Sequence, residues 1–204
     1  RVAGSGHAFS PLVPTDGVLL DLNGLSGITS IDAERRRIRA RSGTPISEFG
    51  DALWAQGLAL ANQGDIDHQV IMGAVSTATH GSGIKLGSFS SAVRWVRLID
   101  GRGEIVEIGE DQPRELHAVA TSLGTMGVVL EVELEVVPAY GLQEEILFAD
   151  WQEVADNWHH NIHSNRHYSF FWCPADSSPG LYGLETASQS DFTDRAYIKR
   201  YAET

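Results

Sequence analysis

Two segments rich in small residues carry the residue types that could bind an anion. Residues 2–10 read VAGSGHAFS, and residues 73–83 read GAVSTATHGSG. Backbone N–H groups approach an anion closely where no large side chain shields them, and hydroxyl groups add further donors. A pyrophosphate needs several such donors converging on it, so the two segments could hold one diphosphate from both sides. Each segment taken alone is also typical of an ordinary turn.

The spacing of these glycines excludes familiar motifs. Gly4-x-Gly6 lacks the third glycine of the dinucleotide-binding fingerprint, and no serine or threonine follows Lys85 as a P-loop requires. A G-x-S-x-G nucleophile elbow is absent from the sequence, which leaves a serine hydrolase without support. The two segments together, with His7 inside the first, favour a cofactor site.

Histidines are concentrated towards the C-terminal end, at His159, His160, His163 and His167. The last three recur at helical spacing, and histidine is a common zinc ligand. No cysteine or carboxylate pattern completes a ligand set, and residues 168–172 read as a strand. We therefore assign no metal site, and a non-enzymatic histidine-rich metal-binding module stays as the alternative from a different functional class.

The elements that must position the two segments follow no regular βαβ rhythm, which favours an α+β fold. Strands are predicted at residues 17–22, 58–61, 93–99, 104–108 and 128–137, and a solvent-facing hairpin at residues 28–42. In the strand at 128–137 the predicted inward face comprises Leu130, Val132, Leu134 and Val136.

Two helices are predicted. The first begins after an N-cap at Thr44, repeats apolar residues at Ile46, Phe49 and Leu53, and ends at Gly57. The second covers residues 113–123. The arginines between residues 35 and 41 are expected on an exposed strand edge.

Composition and charge exclude several classes of protein. The 204 residues include 27 acidic and 15 basic side chains, which gives a formal charge of −12. Such a chain repels nucleic acid and anionic lipid, and we expect neither as a partner. No apolar window is long enough to span a membrane, and the single cysteine, Cys173, excludes an internal disulfide. These features predict a cytoplasmic protein.

Four motifs in a fixed order resemble a known family. RVxGSGHxF opens the chain, ANQGDID occupies residues 61–67, GAVSTATHGSG residues 73–83, and TSLGTMGVV residues 121–129. This order resembles the vanillyl-alcohol-oxidase-type (PCMH-type) FAD-binding domain, which has two subdomains. Within that family the chain is most similar to the sugar-1,4-lactone oxidase and dehydrogenase branch (gulono-, arabinono- and galactonolactone enzymes), with alditol oxidases as close relatives.

The resemblance implies that the two glycine segments hold FAD. The implied cofactor-binding residues are Ala3, Gly4, Ser5, Gly6, His7, Ala8, Asp65, Val70, Gly73, Ala74, Val75, Ser76, Thr77, Gly81, Gly127 and Val128. Ala8 replaces the family's usual serine, so the first segment loses one hydroxyl contact. Residues 124–129 would run past the adenine, with Val128 or Val129 pairing to it through the main chain. Val128 could also pack in the core, and His80 is expected to make a structural hydrogen bond.

His7 has the position at which many family members carry a covalent bond to the 8α carbon of the flavin ring. Neutral imidazole is a nucleophile, and such a link would tether FAD and raise its reduction potential. Other relatives bind the flavin without a covalent bond at this position. The presence of a histidine favours the covalent link.

Residues 62–68 would lie against the flavin ring, where the resemblance implies two residues that act on substrate and oxygen. Asp65 stands where alditol oxidases have a substrate-contacting serine, and its carboxylate could accept hydrogen bonds from a sugar hydroxyl. It could equally be a solvated loop aspartate. Gly64 would leave open the path by which dioxygen reaches the flavin.

The implied reaction is oxidation of a CH–OH group of a sugar-1,4-lactone, with hydride transfer to flavin N5 and reoxidation by dioxygen or another acceptor. An alditol oxidase is the alternative. We expect residues 1–138 to form the FAD-binding domain and residues 139–204 to begin a mixed α/β substrate or cap domain. Relative to the family, an N-terminal part of the first domain and a C-terminal part of the second are expected to be missing. The catalytic acid and base therefore stay unassigned.

Overall fold

The computed structural model describes residues 1–172 and 195–204, which form two compact units. Unit 1 comprises Arg1–Gly81 and Leu86–Ala139, and unit 2 comprises Ser82–Lys85 and Tyr140–Thr204. Cys173 lies outside the described residues. In the part of the chain that the structure describes, no helix has the length and apolar character needed to cross a membrane. Both units combine helices with sheets, which confirms the predicted α+β class.

Unit 1 contains nine strands and three α-helices among the described residues. The strands are β1 (Val2–Ala3), β2 (Leu20–Asp21), β3 (Ile28–Asp32), β4 (Arg37–Arg41), β5 (Leu58–Ala59), β6 (Val93–Ile99), β7 (Ile105–Gly109), β8 (Val128–Glu135) and β9 (Val137–Pro138). The helices are α1 (Phe49–Trp54), α2 (Ile71–Ser76) and α3 (Pro113–Ala120), and single 3-10 turns occur at Ile46–Glu48 and Ser90–Ala92.

An antiparallel sheet in the order β3-β4-β8-β6-β7 forms the centre of unit 1. One of its faces packs on the core together with the apolar sides of the helices. The alternation predicted for β8 is confirmed at Val132 and Leu134, which are almost completely buried. It fails at Leu130, because the pairing skips from Leu98 opposite Val129 to Arg97 opposite Glu131. This bulge turns Val129, rather than Leu130, into the core.

The arginines of β4 occupy the interior of the sheet, so the prediction of an exposed edge is wrong. Strand β4 lies between β3 and β8, and its arginines pair across the sheet with the glutamates of β8. Glu133, which is only 5% exposed, accepts a hydrogen bond of 2.6 Å from Nε of Arg39. Arg37 also lies within ion-pair distance of Glu133. A buried carboxylate requires such partners, and the acidic face of β8 supplies them to β4.

Both predicted helices form, with different boundaries. Ile46, Phe49 and Leu53 are buried as predicted, and Gly57 ends the turn with φ +68°. Thr44 does not cap this helix, because its hydroxyl donates to the carbonyl of Arg41 and accepts from the N–H of Gly27. Helix α3 begins at a proline, as predicted, but ends at Ala120 rather than at residue 123.

Among its described residues, unit 2 contains a three-stranded antiparallel sheet and two helices. Its elements are β10 (Leu142–Asp150), α4 (Trp151–Asp156), α5 (Trp158–Ser164), β11 (His167–Trp172) and β12 (Arg195–Glu203), and the strand order is β10-β12-β11. Val154 from α4 packs on Ala196 and Ile198 of the central strand. The ring of Trp151 stacks on that of Trp172 at 4.6 Å. This small core is separate from the larger core of unit 1.

Candidate functional site

The two glycine segments meet in one cleft of unit 1. The empty volume of this cleft, including its open side, is about 920 Å³. Twelve of the predicted cofactor residues line it, namely Ala3, Gly4, Ser5, Gly6, His7, Ala8, Val70, Gly73, Ala74, Ser76, Thr77 and Gly127. Small-molecule and cofactor sites are typically concave clefts with mixed apolar and polar walls, as here. The sequence separates these residues widely, so the fold is what brings them together.

Direct packing holds the first segment against the beginning of α2. A Cβ atom placed on Gly4 would lie 2.5 Å from Cγ2 of Val70, so only glycine allows this approach. The hydroxyl of Ser5 donates to the carbonyl of His68 at 2.8 Å. The same hydroxyl accepts the N–H of Val70 at 3.1 Å. The contact between the first segment and residues 68–70 therefore consists of one close approach and two hydrogen bonds.

The first segment presents open backbone donors to the cleft. Within the described residues, no hydrogen bond uses the N–H groups of Gly6, His7 and Ala8, and all three residues line the cleft and are exposed. Gly6 has φ +71°, and a Cβ atom there would meet nothing within 4 Å. The ring nitrogens of His7 likewise make no hydrogen bond to another described residue. Adjacent unpaired N–H groups are the donors that an anion requires.

The second segment differs from the prediction, because it begins inside a helix. Ile71, Ala74 and Val75 are completely buried, so α2 forms where a glycine loop was predicted. The N–H of Ala74 donates to Val70 and that of Thr77 to Gly73. These N–H groups are therefore already used, although both residues line the cleft.

Within the described residues, the N–H groups at the beginning of α2 are also satisfied by the protein, except that of Gly73. The N–H groups of Ile71 and Met72 donate to the carbonyl groups of Thr44 and Ser42. Thr77 uses its hydroxyl proton on the carbonyl of Gly73 at 3.0 Å. Within the described residues, the hydroxyl of Ser76 makes no hydrogen bond, and it lines the cleft. The second segment thus contributes a wall, one hydroxyl and the N–H of Gly73, rather than a row of open N–H groups.

A third part of the chain closes the cleft where the sequence predicted the end of a helix. Ser122, Leu123 and Gly124 line the cleft, and the last two have φ +51° and +76°. Gly127 has φ +135°, and a Cβ atom there would lie 2.2 Å from the carbonyl oxygen of Ile99. A glycine is therefore required at this position for both conformation and space.

Sequence reasoning also missed lining residues from other parts of unit 1, namely Leu12, Val13, Leu22, Ser42 and Gln69. The sequence contained one signal for two of these residues, the glycine Gly43 that follows Ser42. A Cβ atom on Gly43 would lie 2.0 Å from the carbonyl oxygen of Leu22. The glycine allows the two chains to touch. Contacts between such distant positions leave no periodic pattern in the sequence.

Five predicted site residues do not line the cleft: Gly64, Asp65, Val75, Gly81 and Val128. Val75 belongs to the core of unit 1. Gly81 packs on the backbone of Gln63, where a Cβ atom would lie 2.1 Å from the carbonyl oxygen. Asp65 is exposed, and Gly64 faces Thr79 and His80. The ring of His80 makes a hydrogen bond with the carbonyl of Gly81 at 2.9 Å, the structural bond expected from the sequence.

The four histidines singled out in the sequence are divided between two elements of unit 2. His159, His160 and His163 lie on α5, whereas His167 begins β11. His167 is 9% exposed, and its Nδ1 lies 3.0 Å from the carbonyl oxygen of Ser82. Burial lowers the pKa of His167, and the charge of Arg166 lowers it further, against the opposing effect of the Ser82 carbonyl. Over residues 1–172 and 195–204, no three metal-ligating side chains converge.

Several curated proteins are similar to the chain in sequence. The chain is 32% identical to L-gulono-1,4-lactone dehydrogenase of Mycobacterium tuberculosis over 174 residues, which covers 85% of this chain and 40% of that protein. It is 29% identical to L-gulonolactone oxidase of Scyliorhinus torazame over 203 residues, 99% of this chain and 46% of that protein. It is 35% identical to alditol oxidase of a Streptomyces species over 144 residues, 70% of this chain and 34% of that protein. The chain thus spans less than half the length of these relatives.

A solved structure and a protein-family model are also similar to the chain. A variant of cholesterol oxidase from Brevibacterium sterolicum superposes with a TM-score of 0.82 at 19% identity, covering 100% of this chain and 40% of that one. This likeness shows a shared fold. The FAD binding domain family matches residues 1–109, more than half of the 204 residues, and these include both glycine segments. The chain therefore belongs to the FAD binding domain family.

Proposed function

We propose that the chain is the FAD-binding part of an oxidoreductase that oxidises a CH–OH group of a sugar-1,4-lactone. The observation that carries this proposal is the cleft itself, which is lined by α2, by residues 122–124 and by Gly6, His7 and Ala8, whose N–H groups make no hydrogen bond within the described residues. The relatives with lactone names, which match most of the chain, support the substrate class.

The residues of the cleft fit FAD. A diphosphate accepts hydrogen bonds, and the first segment offers three adjacent N–H donors while Ser76 offers a hydroxyl. Gly4 and Gly127 allow the walls of the cleft to pack closely, since a Cβ atom there would meet Val70 or the carbonyl oxygen of Ile99. Leu12, Val13 and Leu123 add apolar surface that can exclude water from a bound ring system.

Each part of the chain has a distinct task in this proposal. When bound, FAD supplies the hydride acceptor for the oxidation. The first segment holds the diphosphate, and His7 carries a covalent link through a ring nitrogen. Residues 62–68 border the substrate, and there Asp65 would accept hydrogen bonds from a sugar hydroxyl. The group that removes the hydroxyl proton is not assigned to this chain. The cytoplasmic location stays a prediction.

A panel of aldonolactones and polyols tests the substrate class. Purified protein with its own yellow cofactor should produce peroxide with sugar-1,4-lactones at higher kcat/KM than with xylitol or sorbitol. Activity only with an artificial electron acceptor would indicate a dehydrogenase of the same substrate class. Colourless protein that holds stoichiometric zinc would contradict the proposal.

An alditol oxidase is the second candidate, because the Streptomyces alditol oxidase shares 35% identity over 144 residues. Asp65 favours a sugar lactone as the substrate, since alditol oxidases have a serine at this position. In Asp65→Ser the ratio of kcat/KM for lactone to that for polyol should fall. An unchanged ratio would show that Asp65 does not determine the choice of substrate. A preference of the wild type for polyols would favour the alditol oxidase.

Gly64 offers a test of the electron acceptor. A Cβ atom at Gly64 would lie 3.5 Å from Thr79 and 3.6 Å from the carbonyl oxygen of His80, which are ordinary contacts. Gly64→Ala should therefore fold normally. It should slow reoxidation by dioxygen and leave reduction by substrate unchanged, as followed by stopped-flow absorbance. Equal oxygen reactivity in both proteins would exclude a role of Gly64 in oxygen access.

A further inference from the structure

The hydroxyl of Ser5 connects the first glycine segment to residues 68–70. It lies 2.8 Å from the carbonyl oxygen of His68 and 3.1 Å from the nitrogen of Val70. A serine hydroxyl has one proton to donate and two lone pairs that accept. Its proton is directed at His68, and one lone pair receives the N–H of Val70.

A direct bond from Ser5 to a diphosphate would compete with this arrangement. Phosphate oxygens accept hydrogen bonds, so such a contact needs the hydroxyl proton that His68 already receives. Breaking that bond would leave the carbonyl of His68 without this partner. Neighbouring donors need no such exchange, because the N–H groups of Gly6, His7 and Ala8 are unpaired within the described residues.

We infer that Ser5 is a positioning residue, which fastens the segment carrying His7 to residues 68–70 before the cofactor binds and does not itself hold the diphosphate. This inference rests on the proposed function, since it concerns the same cleft. The close packing of Gly4 on Val70 acts in the same direction. Ser5 thereby sets the distance between the two sides of the cleft.

Hydrogen exchange of the Val70 amide tests the inference directly. Val70 is 5% exposed, so loss of its partner should be visible by NMR or mass spectrometry. In FAD-free protein, Ser5→Ala should accelerate exchange at Val70 about tenfold, the effect of losing roughly one hydrogen bond. Ser5→Thr keeps the hydroxyl and should restore slow exchange. Ser10→Ala removes a hydroxyl from the same exposed stretch and should change nothing.

Affinity for FAD gives the second readout, measured by flavin fluorescence in a His7→Ala background so that no covalent bond obscures it. Ser5→Ala should bind FAD more weakly, and Ser5→Thr should bind as the parent does. Unchanged exchange at Val70 in Ser5→Ala would overturn the inference. Faster exchange at Val70 when FAD binds the parent protein would also overturn it, because the hydroxyl would then have turned to the diphosphate. If the parent binds no FAD, the proposed function fails, while exchange in FAD-free protein still decides the role of Ser5.

Discussion

The two glycine segments have similar compositions and different structures. Residues 4–8 form an irregular loop whose N–H groups point to no partner within the described residues, whereas residues 73–76 belong to α2 and bond internally. The difference arises from their neighbours. Ile71, Met72 and Val75 are buried and recur at helical spacing, but no residue of the first segment is buried. Small residues therefore permit an anion-binding loop, and adjacent apolar residues decide whether one forms.

Replacement of His7 should have the largest effect on this comparison, because among the described residues that line the cleft His7 alone carries an imidazole ring. Acid-precipitated wild-type protein should fluoresce under ultraviolet light, and His7→Ala should lose that fluorescence completely. Ala8→Ser restores the family's usual residue at the neighbouring position and should keep it. FAD that washes off the denatured wild type would contradict the covalent link.

The same substitution in each segment should have opposite effects on stability. Gly4→Ala places a Cβ atom 2.5 Å from a buried valine and should cost about 1–3 kcal/mol in free energy of unfolding. Gly73→Ala places its Cβ atom 3.4 Å from the same side chain and improves helix propensity, so it should gain up to about 1 kcal/mol. Urea unfolding without added FAD measures both. Equal losses would show that α2 does not form as described.

The end of α2 allows a smaller test. Ala78 follows the helix with φ +53°, a conformation that costs about 1 kcal/mol for a residue with a Cβ atom. Ala78→Gly should therefore raise the free energy of unfolding by up to about 1 kcal/mol. Ala74→Gly makes the same chemical change inside the helix and should lower it by at least about 1 kcal/mol. Loss of stability in Ala78→Gly would contradict the strained conformation.

A change of pH should have the smallest effect on stability. The two segments differ here, because a titratable side chain is bonded to the second segment, whereas the first is held by the uncharged hydroxyl of Ser5. Ser5 has no charge to titrate, but Ser82, near the end of the second segment, is bonded to His167. Since burial lowers the pKa of His167 in the folded state, the unfolded chain binds the proton more tightly. This contribution to stability is complete well above pH 6.5 and is lost as the pH falls through that value.

Comparison of wild type with His167→Gln isolates this effect from the other histidines. The loss of stability between pH 7 and pH 5, measured by urea unfolding, should be smaller in the variant. Identical pH profiles would indicate that His167 is as accessible to protons in the folded protein as in the unfolded chain.

Much of the fold was predictable, because local patterns specify it. The hairpin of β6 and β7 and the apolar spacing of Phe49 and Leu53 are confirmed. The predictions were wrong where the conformation or environment of a residue depends on residues that are distant in the sequence. The bulge at Leu130 depends on its pairing with β6, and the pairing of Arg39 with Glu133 depends on the position of β4 within the sheet. Neither is encoded in a local pattern.

For the site, the sequence indicated which segments line the cleft. It did not indicate which of their N–H and hydroxyl groups are already hydrogen-bonded within the protein. The order of motifs brought the first segment, α2 and Gly127 into one prediction, and the structure places all three around one cleft. The engagement of the Ser5 hydroxyl and of the Ala74 N–H follows from hydrogen bonding in the folded chain. Whether these residues bind FAD stays a prediction that the experiments above can decide.

The packing at Gly127 limits what saturation mutagenesis can reveal about this protein. Any side chain there would collide with the carbonyl of Ile99 and separate β8 from β6. A screen for cofactor retention would score every such variant as defective, although the defect lies in sheet assembly. Gly6 has open space around its Cβ position, so tolerance there is restricted by φ alone. Intolerant positions along this cleft should therefore be sorted by thermal stability before they are counted as ligand contacts.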